Sequence, residues 1–497
     1  MEFGESSRAG RRTWAWVAVA VAVAGVVLAR VPFLSRAPSP DEAGFMVIGG
    51  QWAPGTSLYG DLWVDRPPLL IALNGIAQDV GGVIALRWIG IVACVLVVLA
   101  VAWTAAAVRG HRAAAWGAPL AAALCVSELM GAQTVNGELL AAPFVALGLG
   151  ATVHALRASR SGARWGWSAL VGAAGVCAVL VKQNMVDVGV FALTALAVSL
   201  IGRRTDLRAA WQMAAGAAVG ALAVLAVTAA ATLRRGTDLG ELWYALYRFR
   251  LDAAEHIGVV HHTEALAREQ RLVEIWWQSG LAAATAVVVV GLIVLRRREP
   301  VLVALVVLLA FDAWSIAAGG SWWLHYLIQL VVPLSVGFGI VAARATGWRV
   351  ALAGAVTVWV VAASGFALTT SATPLSTEAA LRTGTALAGV AHDGDTALMV
   401  RGGPQVLHAS GLRSVYPYLW GLPARTLDPE DVRLRQTLAG PQSPTWVVVM
   451  SRLDTSGEVG QQIRDELHAS YRQVASLGPH RIWLRRTVER PVPRGEG

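Results

Sequence analysis

The chain alternates between long apolar runs and short polar connections. Eleven runs read as membrane-spanning helices, at about 13–31, 83–108, 113–131, 139–156, 166–182, 185–202, 209–233, 276–295, 300–318, 325–343 and 349–370, because an apolar stretch of about 18 residues or more suits a bilayer core. Alternate connections are short and rich in arginine: "RGHR" at 109–112, "RASRSGAR" at 157–164, "RRTDLR" at 203–208, "RRREP" at 296–300 and "RATGWR" at 344–349. The connections at 32–82, 132–138 and 183–184 carry few basic residues. Basic short loops stay in the cytoplasm, so the pattern predicts an inside N-terminus, with Arg8, Arg11 and Arg12, and an outside C-terminus. The connection 234–275 falls outside and has mixed charge; long loops obey the rule weakly. The first run has the outline of a signal peptide, but it is long and no small-residue cleavage site follows. It is read as an uncleaved helix.

Two outside segments are long enough to hold structure of their own, 32–82 and 371–497. The second has ordinary polarity. It contains strand-like "TALMV" (396–400), "TWVVVM" (445–450) and "RIWL" (481–484), with a helical stretch "GEVGQQIRDELHASYRQVASL" between the last two. The expectation is an all-α polytopic membrane protein over 1–370, including the first outside loop 32–82, followed by a small extracytoplasmic α/β domain over 371–497. The glycines of "RGGPQVL" do not make a nucleotide-binding fingerprint.

Composition agrees with this reading. Of 497 residues 56% are hydrophobic and 15% charged, and the mean hydropathy is +0.55. The net charge of +9 would suggest nucleic acid in a soluble protein. Here the basic residues sit in the short loops, so membrane orientation explains them and no nucleic-acid partner is expected. Cys94, Cys125 and Cys177 all lie inside apolar runs and form neither a disulfide framework nor a metal-type spacing. Many tryptophans stand near run ends (Trp14, Trp16, Trp103, Trp276, Trp277, Trp322, Trp323), as an interfacial belt requires.

Candidate chemistry gathers in five places. In "PSPDEAGFMVIGG" (38–50), Ser39, Pro40 and Glu42 read as N-cap, first helical residue and the closing half of a capping box. Asp41, about 100° round the helix from Glu42, then faces elsewhere. In "GTSLYGDLWVDRPPLLIAL" (55–73), which includes Tyr59, the Pro67-Pro68 pair holds Arg66 extended. A guanidinium grips a phosphate through two parallel donors, although an arginine there also serves by reaching lipid phosphates in general. In "AQTVNGELLAAPF" (132–144), Glu138 stands beside Asn136 at the outside end of a run, either facing a cavity or as a first-turn acid. Lys182, the only lysine of the chain, falls at the outside end of another run in "LVKQNMVDV", where snorkelling is the plainer role. His325 and Tyr326 open a further run on the same side; a lone histidine there is more often structural. The topology, drawn from arginine loops alone, puts all these groups near the outer boundary. Carboxylates and cations at one membrane face suit a reaction between a polar acceptor and a lipid-linked phosphate. The three histidines of "HIGVVHH" (256–262) read as a solvated loop, so no metal or other cofactor is expected, although a divalent ion stays open.

In order along about residues 30–340, Asp41-Glu42, "GTSLYGDLWVDRPPL", "NGELLAAPF", "VKQN" and "HYLIQLVVP" resemble the GT-C membrane glycosyltransferases, and among them the protein O-mannosyltransferase and aminoarabinose transferase (glycosyltransferase 39) type. The combination of the acid pair with Y-x-D-x-W-x-x-R-P-P-L is the more specific part. The resemblance implies that Asp41 is the catalytic base, that the basic residue before the proline pair, Arg66, meets the donor phosphate with Lys182 as its helper, and that Glu138 is the second acid. The family often has lysine where this chain has Arg66. The implied partners are a polyprenyl-phosphate sugar donor, a lipid, glycan or protein acceptor and membrane lipids, at the plasma (inner) membrane. A transporter or lipid flippase is the rival reading; it would keep its charges near the bilayer midplane and show inverted repeats, and no repeat is visible.

Overall fold

A computed structural model of the protein describes residues 2–253, 262–295, 299–450 and 458–495. Every apolar run of the sequence has its helix. Among the described residues, eight helices are long and apolar enough to cross a membrane, from Thr13–Phe33 to Trp348–Thr370, and nine if one bent pair is a single span. The chain is built as a multi-pass membrane protein. The shortfall from eleven has local causes. The bent pair, Thr263–Gln278 with Leu281–Leu295, turns by 69°. Between its halves Gly280 adopts φ 79°, a left-handed conformation that ends the first helix. The run at 113–131 becomes a 15-residue helix, His111–Cys125, followed by a 3₁₀ turn at Glu128–Met130. The run at 185–202 becomes the short apolar helix Asp187–Ile201. In the other direction, the helix predicted from 83 starts at Pro68 and runs to Arg109, broken at Gly81 and Gly82.

The chain divides into two compact units. The first comprises Met1–Leu34, Arg87–Ala229 and His261–Ser371 and holds most of the apolar helices. Its helices approach at small residues. A β-carbon on Gly172 would lie 1.8 Å from the Ala217 carbonyl oxygen, and one on Gly220 would lie 1.8 Å from that of Ala169. Only glycine lets Ser161–Val181 and Leu207–Arg234 meet backbone to backbone, the usual device of packed membrane helices. Arg30, buried at the end of the first helix, donates to the carbonyls of Cys125, Ala132 and Gln133 and so ties that end to the loop before Gly137–Arg157.

The second unit comprises Ser35–Leu86, Ala230–Val260 and Ala372–Gly497. Its centre is a five-stranded sheet in the order β2-β1-β3-β5-β4, with β1 at Thr396–Met399, β2 at Arg413–Ser414, β3 at Trp446–Met450, β4 at Tyr471–Leu477 and β5 at His480–Arg485. β1 pairs parallel with β2 and β3, and β5 pairs antiparallel with β3 and β4. The helical stretch expected through 477 stops at Ser470, and its last seven residues are β4. Tyr471 is fully buried, and Gly478 at φ 57° makes the turn into β5, so hairpin pairing overrides the helical pattern. The first-loop helix Pro40–Gln51 packs on Pro404–Ser410 in the same unit, where Gln405 Nε2 donates to the Pro38 carbonyl at 2.7 Å.

Candidate active site: two charged clusters

In the second unit the capping box forms as the sequence predicts. The Glu42 amide donates to Ser39 Oγ at 3.3 Å, and the Ser39 amide donates to Glu42 Oε2 at 2.8 Å. Glu42 is 1% exposed and committed to this turn. Asp41 is half-buried, and its Oδ1 accepts from Trp420 Nε1 at 3.1 Å. Trp420 lies along the helix face formed by Asp41, Gly44 and Phe45, residues three and four apart. Its ring is 5.5 Å from that of Phe45, and a β-carbon on Gly44 would come within 2.3 Å of it. Gly44 therefore leaves the room in which the indole reaches the carboxylate.

The loop that follows is held at several points. The Tyr59 hydroxyl donates to the Arg66 carbonyl at 3.0 Å, and burial pushes the Tyr59 phenol far above its ordinary value, so it stays a donor. Ser57 Oγ donates to Glu241 at 2.5 Å, and the Leu58 amide donates to Thr237 Oγ1 at 3.1 Å. Asp65 Oδ2 is shared by Arg66 at 2.5 Å and Arg250 at 3.0 Å. Burial alone would raise the Asp65 carboxyl. The two guanidinium groups, Arg66 first, outweigh it and hold the group below the usual carboxylate range. Asp65 thus holds two guanidinium groups side by side, the residue type that grips a phosphate through parallel donors.

In the first unit Asn136 caps Gly137–Arg157, its Oδ1 accepting from the Leu139 amide at 2.9 Å. Asn136 thus caps this helix end. Glu138, 1% exposed, pairs through Oε1 with Lys182, and His325 Nε2 is 3.9 Å from the same oxygen. The Lys182 ammonium also sits 4.8 Å from the centre of the Tyr326 ring. Three separate segments thus bring Glu138, Lys182, His325 and Tyr326 together. In the second unit Asp41, Glu42, Tyr59 and Arg66 fall along the segment Ser35–Leu86. Sequence reasoning missed Trp420, Asp65 and Arg250. Asp65 adjoins Arg66 and was within reach; the other two meet their partners only through the fold. Among the described residues no three His, Cys, Asp or Glu side chains are placed to hold a metal ion. Residues 256–261 of "HIGVVHH" lie outside the described residues.

No family model matches the chain, and no curated protein matches it in sequence. Its structure does match solved ones. ArnT from Cupriavidus metallidurans bound to undecaprenyl phosphate superposes with a TM-score of 0.66 at 12% identity, over 95% of this chain and 98% of that one. The same enzyme in the apo state gives 0.59 at 14% identity, over 95% and 97%. The Archaeoglobus fulgidus oligosaccharyltransferase in complex with Zn and sulfate gives 0.52 at 13% identity, over 88% of this chain and 68% of that one. These are GT-C structures, and the chain has the GT-C fold.

Proposed function

We propose that the protein is an integral membrane glycosyltransferase that moves a sugar from a polyprenyl-phosphate donor to an acceptor hydroxyl on the extracytoplasmic side. The membrane part, 1–370, carries the transfer, and 371–497 is its extracytoplasmic domain. The observation that carries the reading is Asp41: a half-buried carboxylate on a doubly capped first turn, in a chain with the GT-C fold. A general base needs a fixed direction and an open approach, and this turn supplies both. The neighbour crystallised with undecaprenyl phosphate supports the class of donor.

The reaction follows from these groups. The acceptor oxygen bonds to the anomeric carbon while its proton passes to Asp41. The bond from that carbon to the phosphate oxygen breaks, and its electron pair leaves with the lipid phosphate. A single displacement of this kind inverts the anomeric configuration. Arg66 meets the growing negative charge on the phosphate, and Arg250, through the shared Asp65, reinforces it. Glu138 with Lys182, and His325 with Tyr326, form a second group of candidate residues, within the first unit, and Lys182 is its candidate for binding a phosphate. Glu42 serves by holding the turn.

The test uses purified full-length protein in proteoliposomes with polyprenyl-phosphate sugars of several kinds and an envelope extract as acceptor. Release of polyprenyl phosphate that requires acceptor, and that Asp41→Asn abolishes in a folded protein, is the expected result. Full activity of that variant would remove the role given to Asp41.

A further inference from the structure

One short segment of 371–497 reaches both the Asp41 turn and the loop of Arg66. It is "SVYPYLW", residues 414–420, which runs from β2 to the helix Gly421–Leu427. At its end Trp420 Nε1 donates to Asp41 Oδ1 at 3.1 Å, across 379 residues of chain. Trp420 is half-buried, so burial alone does not force its N–H onto a carboxylate. Two residues earlier the Tyr418 ring meets the Trp63 ring edge to face, with 6.1 Å between centres. Trp63 in turn meets the Phe249 ring at 4.4 Å. All three of these rings are buried. Trp63 stands just before Asp65 and Arg66, and Phe249 adjoins Arg250. Asp65 and its two guanidinium groups therefore grow out of a buried aromatic cluster, one member of which belongs to 414–420.

The segment is itself fixed. Ser414 Oγ donates to the Tyr416 carbonyl at 2.7 Å and accepts from the Tyr416 amide at 3.3 Å. The Tyr416 hydroxyl donates to Asp428 Oδ2 at 2.9 Å. Burial, with the Asp428 charge beside it, pushes that phenol far above its ordinary value, so it stays a donor. Asp428 also accepts from the Arg433 and Leu434 amides, both at 2.9 Å. The Tyr416 and Tyr418 rings meet edge to face at 5.3 Å, and the Arg433 guanidinium stands 5.6 Å from the Tyr418 ring.

We infer that 414–420 is a strap of the transfer site: Trp420 sets the direction of the Asp41 carboxylate, and Tyr418, through Trp63, sets the loop that carries Arg66. It rests on the reading of Asp41 as base and Arg66 as phosphate contact. A displacement needs the base on one side of the anomeric carbon and the leaving phosphate on the other, so their separation has to be held. One fixed segment that touches both supports holds it. The Trp420 bond occupies Oδ1 of Asp41 and leaves Oδ2 for the acceptor proton. Trp420 and Tyr418 are positioning residues; neither touches substrate.

The two ends of the strap are read separately, in full-length protein in proteoliposomes. Trp420→Phe keeps a ring against Gly44 and Phe45 and removes the N–H. It should lower kcat about tenfold, roughly the worth of a hydrogen bond to a charged group, with donor KM within about twofold and the melting temperature unchanged. Tyr418→Leu removes the ring against Trp63 and should raise donor KM about fivefold, with a smaller change in kcat. A structural role alone lowers the folded fraction and moves neither KM nor kcat per folded molecule. That outcome in Trp420→Phe overturns the inference, and an unchanged donor KM in Tyr418→Leu removes the second half of it. Fluorine NMR of protein labelled with 5-fluorotryptophan reads the contact without activity. The Trp420 signal, identified by its absence from Trp420→Phe, should shift in Asp41→Ala, which takes away the acceptor. A signal that stays in place overturns the inference whatever the kinetics. If the signal shifts but Asp41→Asn keeps full transfer, the reading of Asp41 as base fails while the contact stands, so the two failures are distinguishable.

Discussion

The two charged clusters solve opposite problems. In the first unit Glu138 is almost wholly buried and pairs with Lys182, with His325 beside the same oxygen. In the second unit Asp41, Asp65 and Arg66 are half-buried, Arg250 is exposed, and Asp65 faces two cations. A buried pair has its charges neutralised and its geometry locked, so its removal acts first on the fold. A part-exposed cluster stays open to solvent and to a ligand, so its removal acts first on the reaction. The contrast predicts which variants lose activity while still folded and which do not fold.

The largest effect is expected at Asp41. Asp41→Asn removes the base and keeps the acceptor for Trp420 Nε1, so the turn and its packing survive. The transfer rate should fall by about 10²–10⁴, the usual contribution of a positioned base, with an unchanged melting temperature. A loss of folded protein instead would break the contrast, because Asp41 would then be structural.

Next comes the buried pair. Lys182→Met leaves Glu138 buried without its ammonium partner, and should cost about 3–5 kcal/mol of stability, read as a lower melting temperature in detergent. Replacing both, Glu138→Leu with Lys182→Met, should recover most of that stability and none of the transfer. If the double variant is as unstable as the single one, the charge pairing is not what holds this cluster.

Arg66 and Arg250 sharpen the other side. Arg66→Ala should weaken donor binding by about 1.5–3 kcal/mol, the worth of hydrogen bonds to a charged group, and Arg66→Lys should restore part of it. Asp65 adds a pH signature. Its folded carboxyl is held below the ordinary value, so its contribution to stability is complete above about pH 3.9 and is lost as pH falls further. Asp65→Asn should flatten the acid limb of the melting curve. An acid limb unchanged in that variant would show that the loop does not depend on the pairing with Arg66 and Arg250.

These predictions also mark what the sequence could reveal. The capping box was legible because it is a contact between residues three apart. The apolar runs were legible because helix and bilayer lengths match. Span ends were not, since Gly280 and the Gly81-Gly82 pair break helices inside apolar stretches where hydropathy does not change. Trp420 lies 379 residues from Asp41, and nothing in "PYLWGLP" points to a carboxylate. Arg250 sits in a loop of mixed charge among several arginines.

The smallest effect tests the rigidity of the turn that carries Asp41. Ser39→Ala removes the acceptor for the Glu42 amide and leaves the Ser39 backbone amide donating to Glu42 Oε2. Half of the capping box remains, so the cost should be about 1 kcal/mol, and Ser39→Asp should restore it because aspartate caps as well as serine. If the turn serves only stability, kcat follows nothing beyond the small change in folded fraction. If the turn aims Asp41, kcat falls several-fold at saturating donor while KM holds, and Ser39→Asp recovers it. Gly44→Ala reaches the same carboxylate from the other side: its methyl presses on the Trp420 ring and should cost about 1–3 kcal/mol as an overpacked contact. A drop in kcat shared by Ser39→Ala and Gly44→Ala, unmatched by any change in donor KM, would place the direction of Asp41, rather than its charge alone, in the rate. Equal losses in kcat and stability across both variants would return the turn to a purely structural role, and the second cluster would then resemble the first.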